Sequence, residues 1–352
     1  MEFLYKANTA RVVFGRGTTT QVGAELDALG VERALVLTTP QQRSSGEAVA
    51  DLLGKGAVGL FDGATMHTPV DVTESAVARL TESGAQAVIA IGGGSTIGLG
   101  KAIALRTDCP QLAIPTSYAG SEMTPIIGQT EAGRKTTQRT NKVLPETVIY
   151  DVEHTVGLPP AMTVTSGMNA IAHAVEALYS EGSNPVLSLM AEEGTARLIQ
   201  ALPKVIDVPD NVDHREEALL GAWLCAVCLG NGGVALHHKL AHVLGGSFNL
   251  PHAETHTAVL PHALAYNAPA VPDAMASLSR ATGSDDPAGH LYDVPKQAGA
   301  TMALRDFGMP EDGIERAVQI TLEAPYPNPR PFDEAALTTM LRAAWAGERP
   351  DT

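Results

Sequence analysis

The chain is poor in cysteine and in positive charge, and it has no long apolar run. Its three cysteines, Cys109, Cys225 and Cys228, are too few and too irregular for a disulfide framework, which points to a reducing compartment, the cytoplasm. Cys225 and Cys228 form a C-x-x-C inside an apolar, helical run, with no second pair to complete a zinc site, so both read as core packing. Lysine and arginine total 24 against 39 aspartate and glutamate, a net charge of −15. That balance argues against nucleic acid or an anionic membrane as partner. No apolar stretch approaches the ~20 residues of a membrane span. The N-terminal Met-Glu-Phe-Leu-Tyr-Lys lacks the basic and apolar regions of a secretory signal, and the expectation is a soluble protein. Two nucleotide motifs are also missing. There is no G-x-G-x-x-G, and Lys101 has no Ser or Thr after it in the frame of a P-loop.

What is present divides the 352 residues into two parts, as expected for a length beyond one hydrophobic core. In the first part short β-branched runs alternate with helical periodicity. Arg33 to Thr38, Ala87 to Gly92, Gln111 to Pro115 and Thr147 to Tyr150 read as strands buried on both faces, with helices at Thr19 to Leu29 and Val72 to Ser83. That order implies a parallel sheet. From Leu158-Pro159-Pro160 onward the pattern is helical, with loops at Pro209 to Asp213, Gly245 to Pro251 and Gly283 to Gly289. The proline-rich Ala324 to Pro331 reads as a fixed loop. The expected architecture is an α/β nucleotide-binding domain over 1–158 and an all-α catalytic domain over 159–352.

Gly92-Gly93-Gly94-Ser95 follows a strand and opens a helix at about Thr96, which suits a pyrophosphate on free helix N–H groups. A hydroxyl-rich turn, with Thr116, Ser117 and Tyr118, follows the next strand and reads as a nicotinamide–ribose site. Lys135 adds a point charge toward the cofactor. Thr38-Thr39 ends an earlier strand where a carboxylate would grip a ribose 2′-hydroxyl; without one, both NADH and NADPH are expected to serve.

Three polar pairs at i,i+4 spacing mark the second part: Asn169 with His173, His238 with His242, and His252 with His256. On helices this spacing puts each pair on one face. Convergent imidazoles suit a transition metal, yet Asn169 brings an amide where a divalent ion favours a carboxylate.

Together, Gly92-Gly93-Gly94-Ser95, Pro115-Thr116-Ser117, Gly120-Ser121-Glu122 and the histidine order resemble the group III, iron-containing alcohol dehydrogenases, whose fold is shared with dehydroquinate synthase. The resemblance covers essentially the whole chain. In that family an Asp and three His bind the metal, at positions matching Asn169, His173, His238 and His252, and a His near the nicotinamide matches His242. Three departures, Asn169, Gly98 and Tyr118-Ala119, are similar to one branch, the maleylacetate reductases. So are Phe61 to Pro69, Tyr118 to Pro125, His252 to His256 and Tyr326 to Arg330.

The resemblance implies NAD(P)H-dependent reduction of the carbon–carbon double bond of maleylacetate to 3-oxoadipate in aromatic-compound degradation. It also implies a homodimer, a small dicarboxylate as substrate and no metal. On that chemistry, His242 or His252 donates to the enolate oxygen or delivers the proton. His173 and His238 help bind a carboxylate, and His256 joins them or orients His252. Lys239 and Arg330 are further candidates for the carboxylates. The rival readings are a metal-dependent alcohol dehydrogenase with Asn169 as ligand, and a nucleotide sensor without catalysis.

Overall fold

The computed structural model describes residues 3, 5–8, 10–132 and 134–350, Lys135 in its backbone alone. The chain divides into two compact units at Leu158 and Pro159. Described residues before Ala7 group with the second unit.

The first unit runs β1 (Arg11–Gly15), α1 (Val22–Ala28), β2 (Ala34–Leu37), α2 (Arg43–Leu53), β3 (Ala57–Phe61), α3 (Val70–Ser83), β4 (Ala87–Gly92), α4 (Gly94–Thr107) and β5 (Gln111–Pro115). It continues with β6 (Ile126–Glu131), β7 (Arg134–Arg139), β8 (Thr147–Asp151) and a short α5 (Glu153–Val156). Six strands form one sheet in the order β1-β8-β5-β4-β2-β3, every neighbouring pair parallel. The four interior strands are buried along their length, as expected for a sheet covered on both faces. The edge strands β1 and β3 are only half-buried, and neither stands out in the sequence. The antiparallel hairpin β6-β7, polar apart from the Ile126-Ile127-Gly128 start of β6, was equally unexpected, as was α2.

β2 and β4 are neighbours, and the chain leaves them in opposite directions, to β3 at one edge and to β5 on the other side. The crevice at their carboxyl ends is a topological switch point, the usual ligand position in such sheets.

The second unit is built from α6 (Pro160–Ala177), α7 (Pro185–Asp207), α8 (Val212–Asn231), α9 (Leu236–Phe248), α10 (His252–Asn267), α11 (Pro272–Thr282), α12 (Pro287–Gln297), α13 (Gly313–Glu323) and α14 (Glu334–Ala346). Pro160 occupies the first helical position of α6, where its missing N–H costs nothing. The loop expected from Gly245 begins later, because α9 runs through both glycines to Phe248 and stops at Asn249, whose φ of 53° ends the helix. Similarly, α4 opens at Gly94, two residues before Thr96. Thr19 to Leu29 is a single 3-10 turn, Thr18–Gln21, followed by α1. Cys225 and Cys228 are buried on α8, where burial pushes the Cys228 thiol up to about 12 and Cys225 well above its ordinary value. Neither is a reactive thiolate. Among the described residues no single helix is long and apolar enough to cross a membrane.

Helices α7 and α8 meet glycine to glycine. A Cβ on Gly221 would lie 3.0 Å from the Gly194 carbonyl oxygen and 3.0 Å from Leu198 Cγ. Gly221→Val therefore forces the helices apart, and overpacking of this kind costs about 1–3 kcal/mol. A thermal melt of the variant should show a lowered midpoint, whereas an unchanged one would contradict this packing.

Candidate active site

The cofactor side is assembled at the carboxyl ends of β2, β4 and β5, which are adjacent in the sheet. Thr39 follows β2, Gly92 to Ser95 joins β4 to α4, and Thr116 to Tyr118 follows β5. These segments touch. The Thr116 amide donates to the Gly92 carbonyl at 3.1 Å, and Gln42 Nε2 donates to Thr116 Oγ1 at 2.8 Å. Gly92 has a φ of 155°, and a Cβ there would lie 2.4 Å from Thr96 Oγ1. Only glycine fits, and the backbone is left open to a close approach by phosphate at the start of α4. A dinucleotide suits this ledge. The side chain of Lys135 lies outside the described residues.

Behind the ledge is a group that spacing alone does not reveal. Lys101, fully buried on α4, donates from Nζ to the carbonyls of Ser121, Thr124 (2.8 Å) and Ile126 (2.9 Å) and to Thr124 Oγ1 (2.9 Å). Burial brings its ammonium down to about 7, against the pull of Glu122. The Glu122 carboxyl accepts from the Tyr150 hydroxyl at 2.8 Å, and burial raises both groups above their ordinary values.

In the second unit the histidines come from α6, α9 and α10. Asn169, His173 and Glu176 share one face of α6 at i, i+4 and i+7 spacing, and all three are buried. Glu176 does most to organise the group. Its Oε2 accepts from His238 Nδ1 at 2.6 Å and from the Ala235 amide at 2.8 Å, while Oε1 accepts from the His237 amide at 2.7 Å. Asn328 Oδ1 takes the Leu236 amide at 3.3 Å. The first turn of α9 has no cap of its own, so side chains from α6 and from the proline-rich loop satisfy its orphan donors.

His173 stacks on His238 with ring centroids 5.2 Å apart, and His237, His238 and His256 meet edge to face at 4.8–5.2 Å. His237 Nε2 donates to the His256 carbonyl at 3.0 Å. All four of these imidazoles are buried. His242 and His252 are exposed, each above the buried layer: His252 lies 4.3 Å from His256 between centroids and His242 lies 6.3 Å from His238.

The structure thus separates the residues that were grouped by spacing. His242 and His252 are accessible, whereas His173, His238 and His256 form the layer beneath. Tyr326, in the proline-rich loop, places its hydroxyl 3.2 Å from His242 Nδ1, and Lys239 Nζ lies 5.5 Å from the Tyr326 ring centroid. Arg330, a candidate for the substrate carboxylates, packs on Tyr266. Nη1 donates to the Tyr266 carbonyl at 2.7 Å, and the guanidinium stacks 4.2 Å from the Tyr266 ring. Glu176, His237 and Tyr326 were missed. For Glu176 the signal was there: it extends the Asn169–His173 stripe by one turn.

At the four positions matched to the family's metal ligands, Asn169, His173, His238 and His252, no donor carries a negative charge. The nearby carboxylate, Glu176, is spent on α9. Among the described residues, the group of three His, Cys, Asp or Glu side chains whose ligand atoms all lie within 4.8 Å of one another is His237, His238 and His256, which shares only His238 with those four. The donors at the four positions are neutral, three imidazoles and one amide, where the family's set includes a carboxylate.

Residues 9–152 match the model of the iron-containing alcohol dehydrogenases, and residues 163–345 match the C-terminal model of the same family. The chain belongs to the iron-containing alcohol dehydrogenase family, a family of oxidoreductases. Within it, the chain is similar to the maleylacetate reductase of Sphingobium indicum, 51% identical over the full length of both. It is also similar to the crystal structure of maleylacetate reductase from Agrobacterium tumefaciens, 50% identical with a TM-score of 0.97, covering 99% of this chain and 100% of that one. A structure described as a putative alcohol dehydrogenase from Ralstonia eutropha is 56% identical, with a TM-score of 0.98 and full coverage of both chains.

Burial is the main cause that lowers the deep imidazoles, helped by their neighbours. His237 sits at about 4, and His173 and His256 lie well below 6.5. Burial alone would raise Glu176, but the charge and hydrogen bond of His238, with His237 and the Ala235 amide, bring it below 4.5. The unfolded chain takes up protons at these histidines below 6.5 while the folded chain does not, and Glu176 acts in the same direction lower down. Their stabilisation is present above 6.5 and is lost as pH falls toward 4. Thermal midpoints should decline steadily over that interval, and a flat profile would contradict the neutral buried layer.

Proposed function

We propose that this chain reduces the carbon–carbon double bond of maleylacetate to 3-oxoadipate with NADH or NADPH, without a metal. The observation that carries this reading is Asn169, buried among neutral imidazoles where a metal enzyme has a carboxylate.

The substrate is a dianion whose alkene is conjugated to a ketone. When bound, the nicotinamide supplies a hydride to the alkene carbon β to that ketone. The electrons move onto the ketone oxygen, and the protein must then donate to the enolate and protonate the adjacent carbon. His242 and His252 are the exposed imidazoles able to do both. The Tyr326 hydroxyl lies within hydrogen-bond distance of His242 Nδ1 and can orient that ring by donating to it or accepting from it.

The neutral imidazoles of His173 and His256 back the site without adding a fixed negative charge. At an effective dielectric of ~20 and a spacing of ~4 Å, a carboxylate at position 169 would repel each substrate carboxylate by roughly 4 kcal/mol. Thr39, in place of an acidic residue, leaves room for a 2′-phosphate, which favours use of both cofactors. The few cysteines and the match to maleylacetate reductases support a cytoplasmic homodimer taking a small dicarboxylate, with no nucleic acid or membrane partner.

The test is oxidation of NADH by maleylacetate, followed with and without a strong chelator. Activity should be equal in both, and Tyr326→Phe should lower kcat while leaving the KM for NADH unchanged. Loss of a general acid typically costs about 10²–10⁴-fold, and His242→Ala and His252→Ala should together span that range. Chelator-sensitive activity would instead support the metal-dependent alcohol dehydrogenase.

A further inference from the structure

We propose that Lys101 is a positioning residue for the nicotinamide cofactor, its ammonium serving as a built-in cation around which the hydroxyl-rich turn is moulded. Lys101 lies two helical turns into α4, the helix whose N-terminus carries the glycine loop. Its Nζ is surrounded by the carbonyl oxygens of Ser121, Thr124 and Ile126 and by the Thr124 hydroxyl. The negative ends of three backbone dipoles, from a stretch of six residues, thus converge on one point. They repel one another unless a cation sits between them, so the path of the turn depends on the ammonium.

Among the described residues, no carboxylate is bonded to Nζ. The charge that balances it is Glu122, in the same turn, buried and fixed by the Tyr150 hydroxyl of β8. The turn continues directly from Thr116, Ser117 and Tyr118, and Thr116 is itself bonded to Gly92. One side chain therefore braces the helix that presents the glycine loop against the segment on the far side of the same ledge. Nothing in the motif Gly-Leu-Gly-Lys-Ala announces this, since a lysine there reads as solvated.

The inference rests on the cofactor reading of the glycine loop and the turn, and the experiment separates the two. NADH is titrated into the full-length protein by its fluorescence, with no substrate present, so that the maleylacetate reading plays no part. Lys101→Met, which keeps the length of the chain and removes the charge, should weaken NADH about tenfold or more, as expected from losing hydrogen bonds to a charged group. The kcat at saturating NADH should change little, because Lys101 touches no reacting atom. Lys101→Arg should recover most of the affinity. If Lys101→Met does not fold, Thr124→Val, which removes one of the four oxygens, should weaken NADH about threefold. Wild-type affinity in Lys101→Met or, in its place, in Thr124→Val overturns the inference, as does a Lys101→Arg no better than Lys101→Met. If the wild-type protein itself binds neither NADH nor NADPH, the cofactor reading falls and takes the inference with it.

Discussion

The buried carboxylate of Glu176 is the contact on which the histidine site depends. It stands on α6 with no exposed surface, and its two oxygens take two amides at the start of α9 and the Nδ1–H of His238. An uncompensated carboxylate in this position would be very costly. Here the helix N-terminus supplies both hydrogen bonds and a favourable dipole, so the charge and the helix stabilise each other. One consequence is geometric: the start of α9, and with it His238 and His242, is fixed against the face of α6 that carries Asn169 and His173. The other is chemical. With Nδ1 of His238 committed to a carboxylate, the ring presents Nε2 to the remainder of the cluster.

From that anchor the site separates by depth. Burial and mutual proximity keep His173, His237 and His256 neutral, and a neutral layer is what lies under a site for a dianion. The exposed pair, His242 and His252, is left to meet solvent or ligand, one beside Tyr326 and the other above His256. A metal enzyme places a charged ligand in such a cluster and balances it with an ion. In this chain the carboxylate on that face of α6 is Glu176, about two turns beyond Asn169, and it bonds to His238 and the amides of Ala235 and His237.

How much of this was legible in the sequence followed from how local each signal is. The interior strands β2, β4, β5 and β8 announce themselves because both faces are buried and the residues are uniformly apolar. The edge strands β1 and β3, half-buried and short, do not. Histidine pairs at i,i+4 are a local property of a helix, and they were visible. The role of Glu176 was not, because its partners Ala235, His237 and His238 lie about 60 residues further on. Nor was that of Lys101, since three of its four acceptor oxygens are backbone carbonyls, which every residue type carries. The packing of Arg330 on Tyr266 was equally hidden, since it joins residues more than sixty positions apart.

The central claim is that neutrality at position 169 suits the site to a dianion and not to a metal. Asn169→Asp restores the missing charge with almost no change in volume. The most direct measurement is kcat/KM for maleylacetate of this variant beside wild type, in chelator. The account predicts a fall on the order of 10²–10³-fold, the scale of an unscreened like-charge contact in a site of intermediate dielectric. A variant that reduces maleylacetate as well as wild type would contradict it.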